Sequence, residues 1–255
     1  KTTAQELGAL AHSSGQVAAV HCKIDTGMGR QGIHCEEALE TLQFISRITH
    51  LDLQGIFTHF AVSDIPDDAI THHQIKIFKQ LLKQVDKVGY PYEMAHAANS
   101  AAIVNYHDSI CDAVRPGIIT YGVWPTKNDA GAILVKPVLR WETAIAQVRT
   151  LPAGATVGYG CTYAAKKNIK TAVLPVGYAD GYKYALANKA DVLIGGKRCR
   201  VLGSVCMDQI VVDVSDLAIV ACGDMATLIG ADGNERITAE ELAALAGTIP
   251  YDILT

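Results

Sequence analysis

The chain has 255 residues, of which 49% are hydrophobic, so it can form one large domain or a medium and a small one. Its formal net charge of −4 gives no reason to expect nucleic acid or an anionic membrane as a partner. No apolar run approaches the roughly 20 residues that span a bilayer, and the first residues show no signal-peptide pattern.

The seven cysteines are scattered along the chain and form no C-x-x-C pair. Zinc-site spacing is absent, so no metal site is predicted. Reduced thiols are typical of proteins in the cytosol, and we therefore expect a cytoplasmic location.

The first half of the sequence alternates strand and helix patterns. The hydrophobic periodicity predicts a helix over 3–11 with Leu7, Leu10 and Ala11 on one face. The strands predicted after it are Val17–Ile24, Leu53–Thr58, Tyr92–Ala97 and Cys111–Val114, and the helices are Glu36–Ile48, Asp67–Val88 and Ala101–Tyr106. Four β-α units in succession predict a parallel sheet covered by helices.

Polar residues follow each predicted strand. The glycine-rich loop 23–30 carries Lys23 and Arg30, and the later strands end at His59, at Asn99-Ser100 and at Arg115. In parallel α/β folds the carboxyl ends of the strands form the active-site face. One polar residue there is common, but four successive sites of this kind predict an enzyme.

From residue 126 the helix patterns give way to short β-rich runs. These runs cover 132–148, 171–176, 191–194, 200–202, 209–214 and 225–229. We predict an α/β domain over 1–125 and an all-β domain over 126–255. Gly195-Gly196 predicts a hairpin turn, and the pair Thr238 and Glu241 predicts a capping box at a closing helix.

The two ends of the sequence are abrupt. The chain starts without methionine, and Tyr251–Thr255 reads as part of a strand. Four β-α units are half of an eight-stranded barrel. The residues alone leave two alternatives open, a small open sheet or a barrel whose first half lies outside this chain.

Eight motifs, in this order, resemble those of the alanine racemase family. They are Lys23-Ile-Asp-Thr-Gly-Met-Gly-Arg30, Gly55-Ile-Phe-Thr-His59-Phe-Ala, His96-Ala-Ala-Asn-Ser100, Arg115-Pro-Gly-Ile118, Val157-Gly-Tyr159-Gly, Gly177-Tyr178-Ala-Asp-Gly181, Cys206-Met-Asp-Gln209 and Ile249-Pro-Tyr251. The resemblance covers essentially the whole chain.

The resemblance implies the second half of a (β/α)₈ TIM-type barrel that binds pyridoxal 5′-phosphate, followed by an all-β C-terminal domain. The implied enzyme is a fold-type III isomerase that interconverts L- and D-alanine and supplies D-alanine for peptidoglycan. It implies a head-to-tail homodimer in which the β-domain of one subunit contributes to the active site of the other.

The resemblance also implies a role for each matched residue. Tyr159 is one of two catalytic bases, and His59 and Arg115 orient it, while Arg115 also faces the pyridine nitrogen. Arg30 matches a further catalytic residue, near the cofactor phenolate and the substrate carboxylate. The implied cofactor contacts are Asn99, Ser100, Arg115, Gly117, Ile118 and Tyr251; the implied substrate contacts are Arg30, Met207, Asp208 and Tyr178. Lys23 matches a lysine that is carbamylated in many members.

One family motif has no counterpart. The Schiff-base lysine of the family lies in a motif like Val-Lys-Ala-Asn-Ala-Tyr-Gly-His-Gly, which does not occur here. The chain therefore resembles about the C-terminal two-thirds of the family's sequence.

The alternatives are a serine racemase of the vancomycin-resistance type, a catalytically incomplete fragment, and a decarboxylase of the same fold type. Tyr251 narrows the implied pocket and favours alanine over serine. The intact downstream motifs argue against a decayed remnant, and Arg115 argues against a decarboxylase, because the decarboxylases have an acidic residue there.

Overall fold

The computed structural model describes residues 1–125 and 135–255. The chain divides into two compact units, the first mainly Lys1–Thr120 and the second Tyr121–Val123 with Lys136–Thr255. The predicted β-rich run 132–148 therefore begins outside the described residues. No helix in the described ranges is long and apolar enough to cross a membrane.

The first unit is a parallel sheet with helices between its strands. Its elements are α1 (Thr2–Ser13), β1 (Ala18–Asp25), β2 (Ile33–His34), α2 (Cys35–Ser46), β3 (Leu51–Phe57), α3 (Ala69–Val88), β4 (Met94–Asn99), α4 (Ser100–Asn105) and β5 (Ala113–Arg115). The strand order is β2-β1-β3-β4-β5, and every pairing is parallel. The predicted α/β architecture is confirmed, whereas the short strand β2 was not predicted.

Helix α3 shows why the sequence specified its helices well. The Asp68 carboxylate accepts hydrogen bonds from the N–H groups of Ile70 and Thr71, and Gly89 ends the helix with φ of 78°. Phe78 and Val85 are buried on the predicted apolar face. Local capping and a 3.6-residue period thus fix both ends of this helix.

Helix α1 buries only Ala11 of the predicted face, while Leu7 and Leu10 are exposed. Leu10 is 64% exposed, whereas Gly8 and Ala11 are buried. A Cβ atom on Gly8 would lie 2.5 Å from Cγ2 of Ile48. The helix therefore turns its glycine side to the core because close approach there requires the absence of a side chain.

The second unit is built on an eight-stranded antiparallel sheet. Its elements are β6 (Trp141–Ala144), β7 (Gln147–Leu151), β8 (Thr156–Val157), β9 (Tyr163–Ala164), β10 (Ile169–Leu174), β11 (Asp191–Ile194), β12 (Lys197–Leu202), β13 (Ile210–Asp213), β14 (Met225–Asp232), β15 (Glu235–Ile237), α5 (Ala239–Ala246) and α6 (Pro250–Leu254). The order is β15-β14-β11-β12-β13-β10-β7, with β6 paired to β14 and a separate β8-β9 pair. Short 3₁₀ turns in the two units cover His107–Ser109, Ile118–Tyr121, Tyr159–Cys161, Tyr178–Asp180 and Tyr184–Leu186.

The predicted hairpin is present, and the predicted capping box is half formed. Gly195 and Gly196 both have positive φ and join β11 to β12. The Thr238 hydroxyl accepts a hydrogen bond from the N–H of Glu241 at 3.1 Å. The Glu241 carboxylate instead accepts two hydrogen bonds from Arg198, so it joins strand to helix.

The strand predicted at the end of the chain is wrong. Residues Pro250–Leu254 form helix α6, with proline in its first turn. Proline fits there because its φ is already helical and its missing N–H would have had no partner in the helix. The second unit is therefore β-rich with two closing helices, rather than purely β.

Candidate active site

The parallel pairing of the first unit gathers polar groups at one edge of its sheet. The carboxyl ends of β1, β3, β4 and β5 all lie there, because each strand pairs in parallel with its neighbour. Lys23 lies half-buried near the end of β1, Asn99 ends β4, Arg115 ends β5, and His59 follows β3 after one residue. The structure thus brings together the residues predicted from the strand ends.

Arg115 is the most firmly held side chain of this edge. Its Nη1 donates to Nδ1 of His96 at 2.6 Å. Its Nη2 carries two hydrogens, which it shares among the carbonyls of Thr58 and Ala97 at 2.7 and 3.0 Å and Nδ1 of His59 at 3.2 Å. Its Nε–H makes no hydrogen bond within the described residues, so a donor remains for a ligand.

The contacts of Arg115 fix the protonation of a pair of histidines. A guanidinium only donates, so Nδ1 of His96 must be the acceptor and the ring proton lies on Nε2. That N–H donates to Nδ1 of His21, 2.7 Å away. A Cβ atom on Gly55 would lie 2.3 Å from the same His21 nitrogen, so glycine on β3 makes room for the ring.

Positive charge dominates the electrostatics around His59. Burial lowers the pKa of His59, and the charges of Arg115, Arg30 and Lys23 lower this pKa further. Burial also lowers the pKa of Arg115, although a guanidinium remains charged at neutral pH. The edge therefore holds a neutral imidazole among cations, which suits an anionic ligand.

The loop that leads to Arg30 is held by Asp25. The Asp25 carboxylate accepts hydrogen bonds from the backbone N–H groups of Gly27, Met28 and Gly29 at 2.8–3.2 Å. These bonds, that from Gly27 most strongly, lower the pKa of Asp25. The carboxylate thereby fixes the glycine-rich turn, while Arg30 itself is exposed.

A second group of donors lies at the ends of β4 and β5. The buried Ser100 hydroxyl accepts a hydrogen bond from the N–H of Gly117 at 2.7 Å, which leaves its own proton for another acceptor. The side-chain oxygen of Asn99 accepts from Ser63 and Ala102, which leaves its NH₂ group. Ile118 starts a 3₁₀ turn. The N–H of Ile119 also donates to the Ser100 hydroxyl, at 3.5 Å, so the N–H of Ile118 is the one left without an acceptor within the described part of the turn.

These donors fit the phosphate end of the cofactor that the resemblance implies. A hydroxyl, an amide NH₂ and the N–H groups at the start of a helical turn all donate to phosphate oxygens. One detail differs from the expectation, since the N–H of Gly117 is already donated to Ser100.

In the second unit, Tyr159 lies at the tip of a tight turn. Gly158 and Gly160 on either side have φ near 70°, and the Tyr159 side chain is 76% exposed. The Ser204 hydroxyl donates to the carbonyl oxygen of Tyr159 at 2.7 Å. The turn is therefore anchored through its backbone, while its phenol projects into solvent.

Tyr178, Met207 and Asp208 lie on adjacent segments of this unit. The N–H of Tyr178 donates to the carbonyl of Cys206 at 3.0 Å, and that of Ala179 donates to the carbonyl of Met207 at 2.8 Å. Tyr178 and Met207 are about half exposed. The structure thus brings together three of the predicted substrate contacts.

Tyr251 lies on α6 and is 46% exposed. The neighbouring Asp252 accepts hydrogen bonds from Lys183 and from Thr248, both at 3.1 Å. Lys183 adjoins Tyr184, whose ring meets that of Tyr178 edge-on at 6.3 Å. The ion pair therefore ties the helix of Tyr251 to the segment that carries Tyr178.

Sequence reasoning missed several residues of these sites. The motif His96–Ser100 includes His96, but the resemblance implies no role for it, and the sequence predicts none for His21 and Ser204. The available signal was spacing on β1, where His21 lies two residues before Lys23 and so on the same face of the strand.

An acid-stability experiment tests whether His96 is held neutral between Arg115 and His21. Burial, followed by the charges of Arg115 and His21, lowers the pKa of His96 to about 4 from an ordinary value near 6.5. Between these two values the unfolded chain binds the extra proton, so the stability contributed by neutral His96 falls as the pH falls from 6.5 to 4. We expect the urea midpoint to fall less across this window in His96→Asn than in the unchanged protein.

The matched control is His107→Gln, which changes an exposed histidine of the same unit. It should keep the full pH slope. An equal slope for the unchanged protein and the His96 variant would show that His96 is not held neutral.

Comparison with known proteins gives a consistent result for both units. The family model described as "Alanine racemase, N-terminal domain" matches residues 1–125, and "Alanine racemase, C-terminal domain" matches 138–255. The alanine racemase of Halothermothrix orenii is 40% identical over 252 residues, which are 99% of this chain and 66% of that protein.

Solved structures give the same result. The alanine racemase of Clostridium difficile matches with a TM-score of 0.92 at 34% identity, covering 99% of this chain and 66% of that one. An alanine racemase of Bartonella henselae, described with covalently bound pyridoxal phosphate, matches with a TM-score of 0.84 at 28% identity, covering 99% and 68%.

The fold is that of a two-domain protein, with a barrel-like α/β N-terminal domain and a β-rich C-terminal domain. The chain belongs to the alanine racemase family. It spans about two thirds of the length of the curated relatives that it matches.

Proposed function

We propose that this chain is part of a pyridoxal-phosphate-dependent alanine racemase, an isomerase that supplies D-alanine for peptidoglycan in the cytoplasm. The observation that carries the proposal is Arg115, which four acceptors hold at the strand ends with its Nε–H left for a ligand. The family membership of both units supports the same activity.

In the first unit each group has a distinct task. Ser100, Asn99 and the N–H of Ile118 bind the phosphate, while Arg115 donates to the pyridine nitrogen. The cofactor, when bound, supplies the electron sink for charge that develops at Cα. A guanidinium does not give up its proton to that nitrogen, so Arg115 limits how far the charge spreads and favours racemisation over side reactions.

The second unit supplies the groups that reach the substrate. Tyr159 moves a proton at one face of Cα, Met207 and Asp208 bind the substrate carboxylate together with Arg30, and Tyr178 limits substrate size. In this proposal Tyr251 also contacts the phosphate. Lys23, when carbamylated, places an anion beside Arg30.

The neutral His59 is the proposed partner of Tyr159. Its Nδ1 accepts from Arg115, so its proton lies on Nε2 and can be donated to the phenol oxygen of a second copy. This arrangement requires a homodimer in which residues 1–125 bind the cofactor and residues 126–255 serve the other subunit's active site.

The parallel sheet of the first unit is, in this proposal, the second half of a (β/α)₈ barrel. Its order β2-β1-β3-β4-β5 is open within the described residues. The family's lysine motif has no match in the sequence, so we propose that the cofactor-bearing lysine lies outside these 255 residues.

Borohydride reduction of protein from the native source tests the proposal. We expect the near-ultraviolet absorbance of a reduced pyridoxyl-lysine, a labelled peptide outside the present sequence, and interconversion of L- and D-alanine faster than of serine. A label within these residues would overturn the barrel proposal. Absence of any label would overturn the proposal that the protein binds pyridoxal phosphate. Faster turnover of serine than of alanine would favour the serine racemase.

A further inference from the structure

Gln74 is a buried amide on α3 whose polar atoms all bind the loops of the active-site edge. The side chain is 1% exposed. Its Nε2 donates to the hydroxyl of Thr26 at 3.1 Å and to the carbonyl of His59 at 3.2 Å. Its Oε1 accepts the N–H of Ala61 at 2.9 Å. The amide thus joins the loop after β1 to the loop after β3.

The hydrogen bonds that continue from Gln74 have one direction only. The amide N–H must donate, so the Thr26 hydroxyl accepts from it. The Thr26 hydroxyl then donates a hydrogen bond to the Thr58 hydroxyl, 2.7 Å away. Thr58 in turn donates to the carbonyl of Ile24 at 2.9 Å. The Gln74 amide N–H at one end can only donate, and the Ile24 carbonyl at the other end can only accept. This series of hydrogen bonds therefore has no alternative direction.

The backbone groups that Gln74 holds follow the His59 side chain directly, at the carbonyl of His59 itself and at the N–H of Ala61. The carbonyl of His59 and the N–H of Ala61 are fixed to one amide, so the backbone that aims the imidazole cannot rotate freely. The carbonyl of Thr58, one residue earlier, accepts from Arg115. Gln74 is therefore linked to the contact between His59 and Arg115 through the backbone of 58–61, and its hydrogen-bond partners within the described residues are backbone groups and the Thr26 hydroxyl rather than either of these two side chains.

A role in helix packing alone does not require this residue. The neighbouring Ile75 and Phe78 are apolar and buried on the same helix, and an apolar side chain would fill the position without needing partners. A buried amide costs free energy unless all its groups are paired. Here all of them are paired, and every partner belongs to the two loops.

We propose that Gln74 is a positioning residue that sets His59 against Arg115, and through His59 the phenol of Tyr159. This inference rests on the proposed racemase function, since the consequence for catalysis acts through His59. Its structural part, the link between the Gln74 amide and the His59 imidazole, is measurable without cofactor or substrate.

The test uses the full-length native protein with Gln74→Met and Gln74→Glu. Methionine keeps the volume but removes every hydrogen bond, and an ionised glutamate places acceptors where two donors are needed. We expect kcat for alanine to fall at least about tenfold in both variants with KM changed little, because misplaced catalytic groups slow the chemical step. In Gln74→Glu the loss should grow with rising pH.

Two variants of the same helix are the controls. Gln80→Met changes an exposed glutamine, and Ile75→Val weakens the buried face without removing a hydrogen bond. Both variants should keep kcat and its pH profile. Ile75→Val should lower the melting temperature by part of the amount that the Gln74 variants lose.

An NMR titration of the His59 ring in cofactor-free protein gives the second readout, with His59→Asn identifying its signal. We expect the pKa of His59 to shift towards 6.5 in Gln74→Met and to stay unchanged in both controls. A lowered melting temperature with kcat and the His59 titration unchanged would reduce Gln74 to a packing residue and overturn the inference. If the unchanged protein racemises no amino acid, the proposed function fails, while the titration still decides the link between Gln74 and His59.

Discussion

Replacing Arg115 with lysine is expected to lower kcat/KM for alanine by at least about 100-fold, the effect of removing one well-placed donor from an active site. A lysine ammonium keeps the charge, but its three hydrogens cannot reproduce the planar fork that reaches His96 and two carbonyls and leaves the Nε–H available. The measurement is the initial rate in both directions.

The same substitution should lower stability. The carbonyls of Thr58 and Ala97 lie on residues that are at most 1% exposed, and each carbonyl left without a donor costs about 1–3 kcal/mol. Arg47→Lys, at an exposed position after α2, is the matched control and should change neither activity nor stability. Retention of full activity by Arg115→Lys would show that charge alone is required and would remove the fork from the mechanism.

Elements defined by local signals were predictable from the sequence. Helix α3 carries an N-terminal cap at Asp68 and a terminal glycine at Gly89, and the Gly195-Gly196 turn sets its hairpin. Each of these depends on residues that are close in the chain, so no knowledge of the tertiary fold is needed.

Features that depend on distant pairing were not predictable. β6 pairs with β14, which begins some 80 residues later. The local sequence of neither strand predicts which strand it pairs with. The chain Arg115–His96–His21 joins β5, β4 and β1. Because β3 lies between β1 and β4, the chain of contacts forms only after the register of four strands is fixed, which a single sequence does not reveal.

The prediction of a strand where the terminal helix α6 lies was wrong for another reason. Five residues are too few to show a helical period, and the apolar Ile253-Leu254 reads equally well as a strand. The site residues matched by resemblance, by contrast, lie at strand ends and turn tips. There the prediction depends on the residue type and its place in a motif, and the roles of His59, Arg115 and Tyr159 stay predictions.

Replacing Tyr159 with phenylalanine is expected to lower racemisation about 10²–10⁴-fold in both directions, the usual contribution of a general base. The phenol is 76% exposed, so removing its oxygen should change stability by less than about 0.5 kcal/mol. A smaller loss is expected for Ser204→Ala, which frees the carbonyl of Tyr159 but keeps the phenol.

The decisive measurement for Tyr159 is exchange of the Cα proton with deuterated solvent, followed by NMR for each enantiomer separately. Two bases on opposite faces of Cα predict that Tyr159→Phe retains exchange from one enantiomer and loses it from the other, while interconversion stops. Loss of exchange from both enantiomers, with cofactor bound and the fold intact, would point to one base rather than two. The control is Tyr90→Phe, since Tyr90 packs against the first unit's core and should leave exchange unchanged.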